Sequence, residues 1–212
     1  MIAKLRLLGY VEFYDTGIFY DSNIHSYINP DKTDVYSFIK SDVVYLNRAH
    51  FDDTYIKNMT VHVIGGSELE GIMLLFAYCT AKVLDISKFD TSKVIDMRYL
   101  FTSSKIEKIA GLENLDTSNV YNMSWMFYKC QTSSLNLNNF NTSKVNYMIE
   151  MFSHCEAENI DVSSFDTGRV ISMENMFTRC KTKKLDISNF KYDSLNNSND
   201  WLKDLEVEEL IE

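Results

Sequence analysis

The sequence predicts an α/β solenoid in which a parallel β-sheet and short helical segments recur in every repeat. A motif of the type Asp-Thr-Ser begins at residues 90, 116, 141 and 166, in steps of 26, 25 and 25. In one part of each repeat, apolar residues alternate, as in a β-strand. In another part they follow helical spacing. Self-similarity at such a period indicates that the repeats stack on one another.

Residues 1–58 do not carry the repeat and are predicted to form a β-rich or mixed N-terminal cap that covers the first coil. Strands are expected at 4–14 and 18–20, with a hairpin turn at 15–17. A further turn is expected at Asn29-Pro30-Asp31, followed by short apolar runs. Those runs are 35–39 and 43–46.

The solenoid is predicted to cover residues 59–190. Its first strand, 59–64, is aligned with 84–89 at a step of 25. Five complete coils follow, numbered here 1 to 5: 65–89, 90–115, 116–140, 141–165 and 166–190. Coil 2 has one extra residue near Gly111, which predicts a bulge or a looser loop.

Each coil is expected to contain one strand and one short helix. The strands are predicted from the pairs Leu84/Ile86, Leu135/Leu137, Ile160/Val162 and Leu185/Ile187. The helices are predicted from apolar steps of 3, 3 and 1, as in Val120, Met123, Met126 and Phe127. The polar motif before each helix matches N-cap chemistry. The methionine and phenylalanine positions are therefore expected to form the core.

Residues 191–212 are predicted to form an acidic C-terminal capping helix. Its apolar side would consist of Leu195, Trp201, Leu202, Leu205, Leu210 and Ile211. Its solvated side would carry the acidic residues between 204 and 212.

The residues on which this interpretation rests are LDISKFDTSKV at 84–94 and the recurring pattern MxxMFxxC. They resemble the leucine-rich repeats of BspA-type bacterial surface proteins, and the resemblance covers Met59 to Phe190. It implies a leucine-rich-repeat solenoid and, as in that family, a secreted or lipid-anchored adhesin. The chain departs from the family in having few coils and no recognisable signal peptide, since Lys4 and Arg6 interrupt the first apolar run. A cytoplasmic location is therefore expected, or the cell surface if a leader has been removed.

The sequence has no recognisable catalytic motif, which argues against an enzyme. The four histidines have no metal-ligand or triad spacing, and Gly65-Gly66 has no phosphate-loop continuation. Neither a cofactor nor a metal ion is expected. The net charge of -9 disfavours direct binding to nucleic acid or to a membrane, and it favours a protein partner with a basic surface.

The cysteines Cys79, Cys130, Cys155 and Cys180 all fall at one repeat position, where coil 2 has Ser104. Stacked, buried thiols are the favoured interpretation, ahead of disulfides or a metal site. The carboxylates Asp90, Asp116 and Asp166 are interpreted as caps rather than calcium ligands, because the loops are not glycine-rich.

One candidate binding surface is the acidic strand face. It is defined by Asp85, Glu113, Asn136, Asp161 and Asp186, each predicted to lie outward on a strand of the sheet. The row has two interpretations. It is either a solvated face, or a functional strip that binds a basic partner or partly mimics a phosphate backbone.

A second candidate is the aromatic helix-side patch, in which large apolar side chains occupy positions expected to face solvent. It is defined by Tyr99, Tyr121, Trp125, Tyr147 and Ile149. Clustered exposed aromatics mark interfaces, including those for self-association. The alternative is that one of the terminal segments covers them.

The predicted function is a non-enzymatic protein-binding module. A specific form of this hypothesis is an intracellular accessory or inhibitor protein from a phage or mobile element. It would act on a nucleic-acid-processing complex through the acidic strand face. The alternative, implied by the resemblance alone, is a cell-surface adhesion domain.

Overall fold

A computed structural model describes residues 11–12, 23–46, 51, 56–191 and 201–212, with the backbone alone described at 11–12. The chain forms a β-solenoid. Its strands are β1 Val11–Glu12, β2 Ile24–Ile28, β3 Asp34–Ile39, β4 Thr60–Gly65, β5 Val83–Phe89, β6 Lys108–Ala110, β7 Ser134–Asn136, β8 Asn159–Asp161, β9 Lys181–Asp186 and β10 Glu206–Ile211. A short 3₁₀ helix spans Leu112–Asn114.

The strands form two sheets that follow one another along the solenoid. The first has the order β1-β2-β3-β4-β5-β6, with antiparallel pairing from β1 to β3 and parallel pairing from β3 onward. The second has the order β10-β9-β8-β7, and its strands pair in parallel. These strands confirm the predicted strand segments at 59–64 and in coils 1 and 3 to 5.

The register of the first repeat strand differs from the sequence alignment. Val61 pairs with Leu84 and His62 pairs with Asp85, and the register shifts between His62 and Ile64. The step is therefore shorter than the 25 residues predicted: it is 23 at Val61 and 24 at Ile64, and the difference is a bulge in β5 opposite Val63. The pairing at the step of 23 places His62 beside Asp85.

Two further ladders of parallel bridges hold the coils together. The first bridge ladder runs through Tyr45, Gly71, Asp96, Asn122, Tyr147 and Ser172. The second bridge ladder runs through Lys105, Gln131, Glu156 and Lys181. Neighbouring coils are thus bonded at these corners as well as within the two sheets. The apolar run at 43–46 contributes only the bridge at Tyr45 rather than a strand.

The prediction of an α/β leucine-rich-repeat fold with a short helix in each coil is wrong. Among the described residues there is no α-helix, and the segments expected to be helical are successive turns. In coil 3 the amide of Met126 donates to Met123 at 3.2 Å, three residues back. The amide of Trp125 instead donates 2.8 Å to Ile149 of the next coil. Alternate amides therefore bond along the solenoid axis, whereas a helix would keep them within the segment.

Two columns of residues in these turns have positive φ. The first left-handed column is Leu74, Tyr99, Trp125, Glu150 and Asn175; the second is Tyr78, Ser103, Lys129, His154, Arg179 and Asp204. Each residue occupies the third position of a turn closed by an amide three residues along the chain, as in type II turns. In each of these turns, the side chain of the left-handed residue points away from the core.

The core consists of side chains stacked in files along the axis. The main file is Phe76, Phe101, Phe127, Phe152 and Phe177, with ring centroids 5.1 to 5.5 Å apart. All five rings are buried, as are the methionines beside them. The predicted core of methionine and phenylalanine positions is therefore confirmed.

The cysteine file is confirmed in the same way. Cys79, Cys130, Cys155 and Cys180 are buried as thiols rather than joined in disulfides, and Ser104 Oγ donates to Cys130 Sγ at 3.3 Å. Hydrogen bonds to Cys130 and Cys180, together with burial, raise the pKa of Cys155 well above its ordinary value. The Cys155 thiol is therefore protonated and unreactive, as expected of a structural cysteine.

The Asp-Thr-Ser motif joins consecutive coils. Thr142 Oγ1 donates to the Asp166 carbonyl at 3.0 Å and accepts the Asp166 amide at 2.7 Å. Thr117 makes the same pair of bonds with Asn141. The acidic residue of the motif closes a local turn, as Asp90 does by accepting the Ser92 amide at 3.0 Å. The predicted N-caps are therefore caps of turns, since no helix follows them.

The extra residue of coil 2 forms a local change in backbone. Gly111 has a φ of 82° and precedes the 3₁₀ helix. A Cβ at this position would lie 2.4 Å from the Ser87 amide nitrogen of the coil below, so only glycine fits. The predicted bulge or loop is therefore a left-handed glycine followed by a 3₁₀ turn.

The predicted C-terminal capping helix over 191–212 is also wrong. Residues 201–204 form a turn, and β10 pairs in parallel with β9, with Glu206 opposite Lys181 and Leu210 opposite Leu185. Residues 201–212 are therefore a sixth, partial coil, in which Leu205 takes the cysteine position. Leu195 lies outside the described residues, as do the segments 4–10 and 13–20 of the predicted N-terminal strands. The boundary at residue 58 remains a prediction.

We expect Phe127→Ala to lower the free energy of unfolding by about 3–5 kcal/mol, because it leaves a cavity in a continuous ring file. Tyr121→Ala is the matched control, since it removes an aromatic ring that is 40% exposed. Its effect should stay within about 1 kcal/mol. Urea midpoints of both variants measure the difference, and equal shifts would contradict this packing. A substitution at Ser124, in the same coil, could not replace Tyr121→Ala as the control, because the Ser124 side chain is buried.

We expect Thr142→Val to destabilise the fold by about 1–3 kcal/mol, because the Asp166 amide and carbonyl both lose their hydroxyl partner. Thr142→Ser keeps the hydroxyl and should lose much less. Thermal unfolding followed by circular dichroism tests the pair of variants. Equal stability of the valine and serine variants would show that the hydroxyl does not hold the coils together.

Candidate functional site

The structure separates the residues of the acidic strand face. Asn136 and Asp161 are direct partners on β7 and β8, and Asp186 follows on β9. Asp85 is paired with Ala110 rather than with Glu113. Glu113 lies in the 3₁₀ helix of coil 2, outside the row. The row is therefore interrupted by a neutral residue in each of coils 2 and 3.

The carboxylates of the acidic strand face have a local role. Asp161 Oδ1 accepts the Ser163 amide at 3.1 Å and its hydroxyl at 2.6 Å. Asp186 bonds to Ser188 in the same way, and these bonds lower the pKa of Asp186. Each such turn ends the strand where the chain leaves the sheet. The repetition of acidic residues thus has a structural cause.

A histidine between two carboxylates was not predicted. His62 Nδ1 lies 2.8 Å from Asp85 Oδ2, and Nε2 lies 3.2 Å from Asp34 Oδ1. The ring stacks on Tyr36 with centroids 4.4 Å apart. The cluster links β3, β4 and β5 and therefore fixes the N-terminal hairpin to coil 1. The sequence could have indicated this cluster, because His62 and Asp85 both occupy outward positions on neighbouring strands. The alignment at a step of 25 residues did not place them side by side.

The aromatic helix-side patch lies on two adjacent parts of the coil. Tyr99 and Trp125 belong to the first left-handed column and stack at 4.8 Å with an angle of 6°. Tyr121 and Tyr147 lie at the first bridge ladder and are 40% and 36% exposed. Ile149 is half-buried and accepts the Trp125 amide through its carbonyl. Since residues 201–212 form a coil of their own, they do not fold back over the patch.

Beside the patch is a groove of about 640 Å³ between the two left-handed columns. Its apolar walls include Leu74, Tyr78, Tyr99, Trp125 and Tyr128. The groove also has charged rims at Lys129 and Glu150, and Lys129 Nζ lies 5.0 Å from the centre of the Tyr128 ring.

Arg98 lies on the coil between Tyr99 and the first bridge ladder. It is held by Asp96, with Nη2 2.7 Å from Oδ2 and Nε 3.0 Å from both carboxylate oxygens. This ion pair raises the pKa of Arg98 above its ordinary value. Arg98 is therefore held in place beside Tyr99 as a guanidinium paired with Asp96.

The residue types in the first left-handed column are unusual. A residue other than glycine in the left-handed region costs about 1–2 kcal/mol, and asparagine is the best tolerated of them. Coils 1 to 3 nevertheless have Leu74, Tyr99 and Trp125 there, whereas coils 4 and 5 have Glu150 and Asn175. The apolar side chains are therefore confined to one half of the solenoid, where the backbone alone gives no reason for them.

Other kinds of site receive no support from the described part of the chain. Residues 11–12, 23–46, 51, 56–191 and 201–212 contain no group of three or more side chains able to hold a metal ion. Within the same residues, no helix is long and apolar enough to cross a membrane.

The fold and its outward side chains define the chain as a β-solenoid repeat protein. The chain belongs to the family DUF285, described as "Mycoplasma protein of unknown function", whose profile matches residues 45–107 and 102–209. This match spans the bridge at Tyr45, all five coils and most of β10. It does not establish membership of the BspA-type family. Searches of curated proteins and of solved structures gave no significant match.

We expect Asp85 to contribute pH-dependent stability. Partial burial opposes its ionisation, but hydrogen bonds from Ser87 and His62 outweigh it and lower the pKa below the ordinary 3.8. Because the folded chain favours the carboxylate, the contribution is present above the unfolded pKa and is lost as the pH falls through the folded pKa. Asp85→Asn should therefore reduce the loss of stability between about pH 7 and about pH 3.

Urea midpoints of wild type and Asp85→Asn at the two pH values measure this difference. Asp31→Asn, in the exposed turn between β2 and β3, is the matched control. If Asp85→Asn and Asp31→Asn change the pH dependence equally, the hydrogen bonds to Asp85 do not stabilise the fold.

Proposed function

We propose that this protein is a non-enzymatic binding module that recognises a partner protein through the groove between the left-handed columns. The observation that carries the proposal is the placement of Leu74, Tyr99 and Trp125 at backbone positions that favour glycine or asparagine. Large apolar residues at such positions, half-exposed beside a groove, are best explained by contacts with another molecule.

The groove has the composition of a protein interface. Aromatic residues and arginine are enriched at the centres of interfaces, and the rims are polar. Here Tyr99 and Trp125 are stacked, Lys129 and Glu150 line the groove with them, and Arg98 precedes Tyr99 in the chain. A rigid solenoid presents these groups with little loss of conformational freedom on binding.

A basic partner on the acidic strand face is a weaker proposal. Its carboxylates close local turns, and the row is interrupted in coils 2 and 3. Asp161→Asn and Asp186→Asn would test it, because asparagine keeps the acceptor oxygen, as Asn136 does naturally in coil 3. Unchanged affinity of this double variant for the partner would exclude a charge-based role.

The more specific hypotheses receive no support from the fold or the family. Neither an inhibitor of a nucleic-acid-processing complex nor a phage origin follows from a match to a family of unknown function. The adhesion alternative rests on the resemblance to BspA-type repeats alone. We therefore propose the binding module without a named partner.

We expect Trp125→Glu to weaken binding of the partner by roughly thirtyfold or more, as for a central interface residue. The partner is first captured from an extract of the native host and then purified for a binary titration. The backbone at this position accepts glutamate, since Glu150 occupies it in coil 4. The variant should therefore fold.

Asn175→Glu is the matched control, because it introduces the same side chain into the same column in coil 5. It should leave the affinity unchanged. Equal losses in both variants, or no loss in either, would contradict the proposal. Light scattering of wild type and Trp125→Glu identifies the case in which the partner is a second copy of the chain.

A further inference from the structure

The C-terminal end of the solenoid is open in the described part of the chain. β10 is the last strand of its sheet, and among the described residues it pairs only with β9. No described strand lies along the other edge of its backbone, and such an edge can accept a further strand. Extended segments of other proteins commonly bind by adding to such an edge.

The apolar positions of this last coil are only partly covered. Leu210 is 37% exposed, whereas Leu185, its partner on β9, is fully buried. Leu205 and Val207 are half-buried, although the cysteines at the position of Leu205 in the inner coils are fully buried. Within the described part of the chain, the apolar side chains of this last coil are therefore covered less completely than those of the inner coils.

Charges alternate in layers as the end is approached. Coil 4 has Glu156 and Glu158 on the face of the second bridge ladder, and β9 has Lys181, Lys183 and Lys184. β10 is acidic again, with Glu206, Glu208 and Glu209. The layers are joined by ion pairs, such as Lys183 with Glu158 at 3.0 Å and Lys184 with Glu209 at 3.3 Å.

The basic layer has acidic neighbours on both sides, but the outer acidic layer does not. Lys181 lies between Glu156, its bridge partner, and Glu206, whose carboxylate is 3.4 Å away. Glu158 raises the pKa of Lys183, and the nearby Glu208 adds to the effect. Glu206, Glu208 and Glu209 have this basic layer on one side only. The next strand that fits the alternation is basic.

We propose that the open C-terminal end binds an extended basic segment of a partner protein, which adds to β10 as a further strand. The segment would resemble β9, with lysine or arginine at the spacing of Lys181, Lys183 and Lys184 and an apolar residue at the position of Leu185. Backbone hydrogen bonds and the half-buried apolar residues supply affinity, and the carboxylates select the charge.

A second copy of the chain is a poorer occupant of this end. A centred antiparallel pairing of two β10 strands would set Glu208 and Glu209 against the same residues of the other copy. Like charges directly opposite each other destabilise a strand pair. The net charge of -9 on each chain adds to the repulsion.

The test uses the whole protein and a labelled peptide with the sequence of residues 180–190, in which Cys180→Ser removes the thiol. A second peptide has glutamate in place of its three lysines. Fluorescence anisotropy should show that the lysine peptide binds roughly tenfold or more tightly than the glutamate peptide, with an affinity that falls as salt rises.

Two double variants separate the end from the interior. Glu206→Gln/Glu208→Gln removes two carboxylates from the outer layer, and Glu156→Gln/Glu158→Gln removes two from the inner layer beside the same lysines. Thermal unfolding checks that both fold. Only the outer pair should weaken binding of the lysine peptide, by roughly fivefold or more. Trp125→Glu should leave it unchanged, which makes this test independent of the groove.

Three results would overturn the proposal. The first is absence of binding, or equal binding of the two peptides. The second is an equal loss of affinity in the inner and outer double variants. The third is a dimer, detected by light scattering, that the outer double variant strengthens by removing the opposed carboxylates, because the end would then be occupied by a second copy.

Discussion

Hydrogen bonds between successive coils are the constraint on which the structure depends. In the turn segments every second amide has its acceptor in the next coil, as Phe152 has in Met176 at 2.8 Å. A buried amide without an acceptor is costly, so each coil must lie in register with the next. This requirement explains the nearly constant length of the repeat. It also explains why the one extra residue lies at Gly111, where a left-handed glycine and a 3₁₀ turn absorb it.

The period was sufficient to predict the stack and its core. Equivalent residues of stacked repeats become spatial neighbours, so the Phe127 and Cys130 positions could be placed in continuous interior files. The helical segments could not be distinguished from turns in this way, because a series of turns also buries every third residue. What separates the two is the acceptor of the alternate amides, which no residue type reveals. The short length of the segments argued against helices, since helices shorter than about 12 residues are marginal without tertiary support.

The candidate surfaces were predictable to different degrees. Outward aromatics such as Tyr121 were identified correctly, because exposure follows from the burial of neighbouring core positions. The left-handed backbone at Trp125 was not predictable from an assumed helix. The local role of Asp161 and Asp186 could have been found from the serine two residues after each, which is a turn signal. His62 was missed because β4 pairs with β5 at a step of 23 residues at this point, not at the 25 of the alignment.

The sides and the ends of this solenoid are subject to different physical demands. On the sides the backbone amides of the turn segments are bonded within or between coils, so recognition of a partner there rests on side chains such as Trp125. At the end, the backbone edge of β10 and the half-buried Leu205 are themselves available. Under the two proposals, binding at the groove would therefore depend on the identity of a few side chains, whereas binding at the end would depend on strand geometry and on the sign of the charge.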